Sequence, residues 1–303
     1  MNQATSVAIS DDSLRLLVSP RLGGSILEFS FCRSGEWLSI MRQAAADVSS
    51  SSDTSSFLMA PYPNRIRNGR FTFAGTEYQL RSPEKHSIHG DVRNRQWNVT
   101  ERRTNSVTLE FKSRWYPDIN FPFAFSMQQS FSVSDSTLTI CCRLRNEDSK
   151  AFPAGFGFHP YYNRALAGND EEVTLSFSAQ GAYPFSGDLP LPDGMALPLT
   201  EQLNFLVPRE IPEKLDHCFA GFGGTAKLRW PTSKVTLQLE ASAAFSHFVV
   251  YSPPGKPFVA LEPQTQMNDG FNYLARGETS TGVVVLEPTQ ELAASVSLAV
   301  RAD

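Results

Sequence analysis

No apolar run in this sequence approaches the ~18 residues that a membrane-spanning helix needs, so no membrane partner is expected. The opening stretch "MNQATSVAISDDSLRLLVSP" lacks a basic segment followed by an apolar one, so no secretory leader is expected either. Cysteine is scarce. The four residues Cys32, Cys141, Cys142 and Cys218 have neither disulfide-framework nor CxxC spacing. They read as free thiols, buried or half-buried, in a reducing cytoplasm. A lysine/arginine tract is missing and the net charge is -4, which argues against nucleic acid as a partner. HExxH spacing and clustered Cys/His pairs are absent, so no metal is expected. Without a GxSxG elbow, serine-hydrolase chemistry has no support. "GFGG" at Gly221 to Gly224 is followed by no Lys-Ser/Thr pair or helix start, so it is not a phosphate loop. Helical periodicity longer than about three turns is also missing.

What the chain has is strand pattern. Hydrophobic residues make up 41% of it, with 22 phenylalanines and 20 prolines, a composition that favours strands and turns over helices. Period-2 alternation puts Val107, Leu109 and Phe111 on one face, then Leu138, Ile140, Cys142 and Leu144, then Val235, Leu237 and Leu239. "RFTFAGTEYQL" reads as two short strands about a turn at Gly75. "ELAASVSLAV" near the end fits strand and helix about equally. The serine-rich stretch 43–56 reads as a mobile surface loop opening on a short helical turn. Residues 184–200 are too rich in proline and glycine for anything but a long excursion. No linker and no internal repeat interrupts the pattern. The expectation is all-β: one large antiparallel β-sandwich over residues 1–303.

Two strand ends carry chemistry. In "GFGFHPYYN" (Gly155 to Asn163), Phe156 and Phe158 share one face, and Gly155, Gly157 and His159 share the other. The glycines are expected to clear a floor against which a ligand could lie. Pro160 holds His159 extended. In "PFVALEPQTQMNDGFN" (Pro257 to Asn272), Phe258, Ala260 and Glu262 share a face, and Pro263 follows the carboxylate. A carboxylate within an apolar strand needs a partner or a task, or else reaches solvent at an edge. Weaker candidates are His86, His89 and Arg93 in "HSIHGDVRNRQW", Asn64, Arg65 and Arg67 in "APYPNRIRNGRF", and Asp216 and His217 in "KLDHCF".

In this order, "NRIRNGRFTFAGTEYQL", "IHGDVRNRQW", "GFGFHPYYN", "LDHCF" and "LEPQTQMNDGFN" resemble the aldose 1-epimerase (galactose mutarotase) family. They span Asn64 to Asn272. The resemblance implies a mutarotase-type sandwich and an isomerase acting on a small sugar without a cofactor, as a monomer or homodimer. It implies His159 as general acid, Glu262 as general base, and His89 as a further catalytic histidine. Arg65, beside Asn64, and Asp216 would bind sugar hydroxyls. The chain departs from the family in having Asp91 and then Val92-Arg93 after the His-Gly pair. His-Gly-x-x-Arg occurs in a branch acting on hexose 6-phosphates, which makes Arg93, with Arg67, a candidate for meeting phosphate.

Mutarotation requires a proton taken from the C1 hydroxyl and one given to the ring oxygen, work for a base and an acid. Glu262 would have to be ionised and His159 protonated. A carboxylate field is expected to help hold His159 charged near neutral pH. Trp97 and Phe185 are aromatic candidates for stacking on the sugar. Besides the hexose-phosphate alternative, a non-catalytic sugar-binding sandwich would share the fold but would not need both an acid and a base.

Overall fold

The computed structural model describes residues 6–167 and 171–303; the first five residues of the stretch in which no leader was read lie outside them. Among the described residues, strands dominate and every named strand pair is antiparallel. The one α-helix among these residues is the short Gly270–Ala275. None of the described residues form a helix long and apolar enough to cross a membrane.

Two large sheets organise the molecule. A nine-stranded sheet runs Arg209–Glu210, Thr174–Phe177, Thr225–Trp230, Val235–Ala241, Glu291–Ala302, Thr137–Asn146, Phe125–Ser134, Ser106–Lys112, Asn98–Arg102. An eight-stranded sheet runs Leu197–Pro198, Gly181–Ala182, Leu215–Ala220, His247–Ser252, Phe258–Gln264, Gly157–Phe158, Leu58–Met59, with Tyr161–Asn163 also on Phe258–Gln264. Alternation decides which side chains turn inward. Val107, Leu109, Phe111, Leu138, Ile140, Cys142, Leu144, Val235, Leu237 and Leu239 are all buried, as their spacing predicts. The two sheets meet through aromatics: Phe177 of the first lies 5.0 Å from both Phe219 and Phe248 of the second. One apolar cluster reaches from Val7 to Val300. Burial of each such Leu, Val or Phe contributes about 1.5–3 kcal/mol.

"ELAASVSLAV" is strand. Glu291–Ala302 lies between Thr137–Asn146 and Val235–Ala241 and is paired on both sides, with Leu292, Ala294, Val296, Leu298 and Val300 inward. Two ladders and an inward apolar row outweigh its local helix propensity. Arg70–Phe73 and Thr76–Gln79 form the expected hairpin about Gly75.

Two expectations fail. Cys142 is buried as read, but Cys141, on the opposite face of the same strand, is exposed. The serine-rich stretch is a surface loop only in its first part. Ser51–Asp53 is a 3-10 turn, and Ser51, Thr54, Ser55 and Ser56 are buried. The Ser55 and Phe57 carbonyls accept hydrogen bonds from Tyr161 N–H (2.8 Å) and His159 N–H (2.9 Å), and Ser56 accepts from Ile26 N–H (2.8 Å). The Thr54 and Ser55 hydroxyls and several carbonyls are thus spent within the fold, which polar composition alone does not reveal.

Candidate functional site

The eight-stranded sheet builds the site by register. Gly157 pairs with Gln264, and Tyr161 pairs with Ala260. Counting between these pairs sets His159 opposite Glu262. The ladder breaks there because each residue is followed by a proline, Pro160 and Pro263, which has no N–H to give. His159 Nε2 lies 3.2 Å from Glu262 Oε1. The two are cross-strand neighbours on one face, where side chains interact directly. On the other side of the strand, Glu262 faces Val249, and Tyr251 faces both Ala260 and Asp216. Glu262 is therefore central in its sheet and buried, not an edge residue reaching solvent.

Loops supply the other wall. His89 has φ +69 and donates its N–H to the Asn64 carbonyl at 2.7 Å. Gly90 follows with φ +66, and a Cβ there would stand 1.9 Å from the Ala60 carbonyl oxygen. Only glycine allows that approach. Asn64 itself has φ +52, a conformation asparagine tolerates. The motif "NDG" fastens this segment: Asp269 N–H donates to the Arg65 carbonyl (2.8 Å), and Asp269 Oδ1 accepts from Arg67 N–H (2.8 Å). His86 is spent elsewhere, its Nδ1 accepting from Asn68 N–H at 2.8 Å.

These elements enclose a cavity of about 410 Å³ lined by Asn64, Arg65, His89, His159, Asp216 and Glu262. Ile88, Tyr161, Asp188, Leu189, Pro190 and Tyr251 complete it. That volume lies within the range of small-molecule sites, about 300–1,000 Å³. Several buried polar atoms here have no partner within the chain: Asn64 Oδ1, Arg65 Nε, His89 Nδ1 and His159 Nδ1. Buried polar groups are normally satisfied, and a cluster that is not is set up to bind something polar. Among the described residues, no three His, Cys, Asp or Glu side chains are grouped to hold a metal ion.

Burial dominates the electrostatics. It raises Glu262 well above the ordinary carboxylate value, with the neighbouring charge of Asp216 adding to it and the hydrogen bond from Gln264 Nε2 (3.0 Å) opposing it. Burial lowers His159 to about 3, helped by Arg93 and Arg42. His89 is lowered well below its usual value by burial, then by Arg93, His159 and Arg65. The expectation that a carboxylate field holds His159 charged is therefore overturned: Glu262 is adjacent, but desolvation and two guanidinium groups outweigh it. Burial thus favours the neutral form of each partner, carboxyl and imidazole. Asp216 is pushed up to about 6 by burial, with Arg65 pulling it down.

Other expectations are corrected by position. The glycines of "GFGFHP" do not clear a floor for a ligand. A Cβ on Gly155 would stand 2.2 Å from Gln266 Oε1, and one on Gly157 2.9 Å from Gln264 Cγ, so the space over them is filled by the neighbouring strand. Arg93 does not line the cavity. It lies behind Phe57, its guanidinium carbon 4.9 Å from that ring's centre, and donates to Ser52 Oγ at 2.9 Å. Arg67 is held by Asp269 (3.7 Å), Asp193 (3.8 Å) and the Pro192 carbonyl (2.9 Å). Trp97 is fully buried against Phe111, and Phe185 packs on His217. The cavity's aromatic walls are instead Tyr161 and Tyr251. Tyr161 was legible as two residues past His159 on the same face. Tyr251 and Asp188 carried no local signal.

A model of the family described as aldose 1-epimerase matches residues 5–299. The uncharacterized protein YphB of Escherichia coli (strain K12) is 25% identical over 259 residues, 82% of this chain and 84% of that protein. Galactose mutarotase of Rattus norvegicus is 29% identical over 143 residues, 45% of this chain and 40% of that protein. A galactose mutarotase-like protein from Clostridium acetobutylicum superposes with a TM-score of 0.85 at 18% identity, covering 98% of this chain and 95% of that one. A likeness at that identity establishes the fold.

Proposed function

Since the chain belongs to the aldose 1-epimerase family, we propose that it interconverts the α and β anomers of a free aldohexose by acid–base ring opening and closure. The observation that carries this is the 3.2 Å contact between His159 Nε2 and Glu262 Oε1 at the base of a polar cavity. The hydroxyl to be deprotonated and the ring oxygen to be protonated sit on one carbon. Two adjacent groups sharing one proton match that geometry.

Glu262, as carboxylate, takes the C1 hydroxyl proton, and His159, as imidazolium, gives one to the ring oxygen. The ring C1–O bond breaks as the carbonyl forms. That step leaves Glu262 protonated and His159 neutral, the proton distribution burial favours in the empty site. Rotation about C1–C2 then presents the other carbonyl face. Closure runs the transfers backwards, with Glu262 returning its proton to the carbonyl oxygen and His159 taking one from the attacking hydroxyl. Both forms of the pair carry one proton, so the cycle needs no net exchange with solvent. Sugar hydroxyls and the Arg65 guanidinium favour the charged form by giving it polar contacts. Arg65 and Asp216 orient hydroxyls, and His89, neutral, donates an N–H toward the developing charge.

The free-sugar reading is preferred to a hexose-phosphate one because Arg93 and Arg67 are both engaged away from the cavity. Polarimetry on freshly dissolved α-anomers of several aldoses tests the proposal. Approach to anomeric equilibrium faster than buffer, abolished by His159→Asn, is the expected result. Binding of a sugar with the anomers relaxing at the buffer rate would replace the enzyme with a binding protein.

A further inference from the structure

His159 sits at one corner of a triangle of rings, with Phe57 and Tyr161 themselves 6.4 Å apart between centres. Its ring lies 4.7 Å from Phe57 and 4.6 Å from Tyr161, tilted by 30° and 31°. The Arg93 guanidinium lies over Phe57 at 4.9 Å, and that of Arg42 over Tyr161 at 3.6 Å. Both arginines are tied to the serine-rich segment. Arg93 donates to Ser52 Oγ (2.9 Å), and Arg42 donates to the Ser52 and Thr54 carbonyls, the latter at 2.8 Å. Ser55 Oγ donates back to the Arg42 carbonyl at 2.6 Å, and Asn94 Oδ1 accepts from Ser51 N–H at 2.9 Å. Neither arginine lines the cavity. Guanidinium over an aromatic face is attractive, and more so when desolvated.

We propose that Arg42 and Arg93 are positioning residues that act through Tyr161 and Phe57 to fix the plane of the His159 ring and to decide the proton state from which it works, with segment 51–57 as their mount. This rests on His159 being the acid of the proposed reaction. The other charged or titratable groups facing His159 are Glu262 from the adjacent strand, His89 from the loop at 5.2 Å and Tyr251 at 6.5 Å between ring centres. Of these only Glu262 would favour imidazolium directly, and only when it is ionised. The two arginines oppose it, in keeping with the low affinity of His159 for a second proton.

The test is Arg42→Gln, Arg93→Gln, their combination, and the lysine counterpart at each site. His159 is titrated by NMR with ¹⁵N-histidine, its resonance assigned with His159→Asn, beside pH profiles of kcat/KM for anomer interconversion. Each glutamine should raise the His159 midpoint by about half to one pH unit, and the pair by roughly their sum. The acid limb of kcat/KM should move alkaline by the same amount. Lysine should retain the midpoint, because charge is kept. Ser52→Ala, a gentler change, should move it a smaller distance the same way. An unmoved midpoint in the glutamine variants, or lysine variants shifting as far as glutamine ones, overturns the proposal. The NMR titration needs no turnover: a midpoint that moves while His159→Asn stays active refutes the catalytic reading and leaves the positioning intact.

Discussion

Glu262→Gln separates catalysis from stability. In the native protein the carboxyl is buried against His159 Nε2 and accepts from Gln264 Nε2. Its affinity for a proton is raised well above the ordinary 4.5. Glutamine reproduces the protonated acid: an oxygen for Gln264 and an N–H for the neutral imidazole. Loss of the base should cut anomer interconversion at least about a hundredfold. Stability should move the other way. A group whose native pKa is raised contributes fully below its unfolded pKa. It loses that contribution as pH climbs through the native one, at about 1.4 kcal/mol per pH unit. From pH 4.5 upward the native protein should lose stability relative to the variant with that slope, until Glu262 ionises. His159 remains in both proteins, so its own pH dependence cancels to first order. Urea unfolding of the two proteins at half-unit steps from pH 4.5 to 8 measures the difference. Parallel curves would refute the reasoning, because they would mean that Glu262 is ionised in the folded protein. A variant more active than one-hundredth of native would remove Glu262 as the base.

Arg65→Ala should raise KM severalfold with a smaller effect on kcat, checked by initial-rate polarimetry; an unchanged KM would take it out of the sugar site. In its proposed role Asp216 would bind hydroxyls best as a carboxylate; it is pushed up to about 6, so KM should rise as pH falls through that value, and Asp216→Asn should abolish the inflection. Gly90→Ala puts a Cβ 1.9 Å from the Ala60 carbonyl oxygen at φ +66 and should destabilise by about 1–3 kcal/mol or more, read as a lower midpoint in urea. Cys141, exposed, should react with a thiol reagent in the folded protein, while buried Cys142 and Cys218 should react only on unfolding, as counted by mass spectrometry.

Much of the molecule was legible in its residues. Alternation named the inward rows of the long strands, because a strand half buried on one face needs every second residue apolar whatever its partner. The same rule put Glu262 on a face with Ala260, and the quoted motifs carried the family. Register was beyond it. That His159 stands opposite Glu262 depends on which strands pair, and no local pattern states that. The glycines beside His159 show the limit of face logic: they mark a close approach, but the approaching group is the Gln264–Gln266 segment, not a ligand. Sequence likewise supplied Arg42, Arg93 and a run of serines without relating them. What the sequence by itself determined was the composition of each face and the turn chemistry, each set within a few residues, together with the motifs that carry the family. What only the tertiary structure decided was who meets whom, and with it the direction in which the proton affinities of His159 and Glu262 are shifted. Desolvation and the field of distant arginines are sums over neighbours brought together from the whole length of the chain.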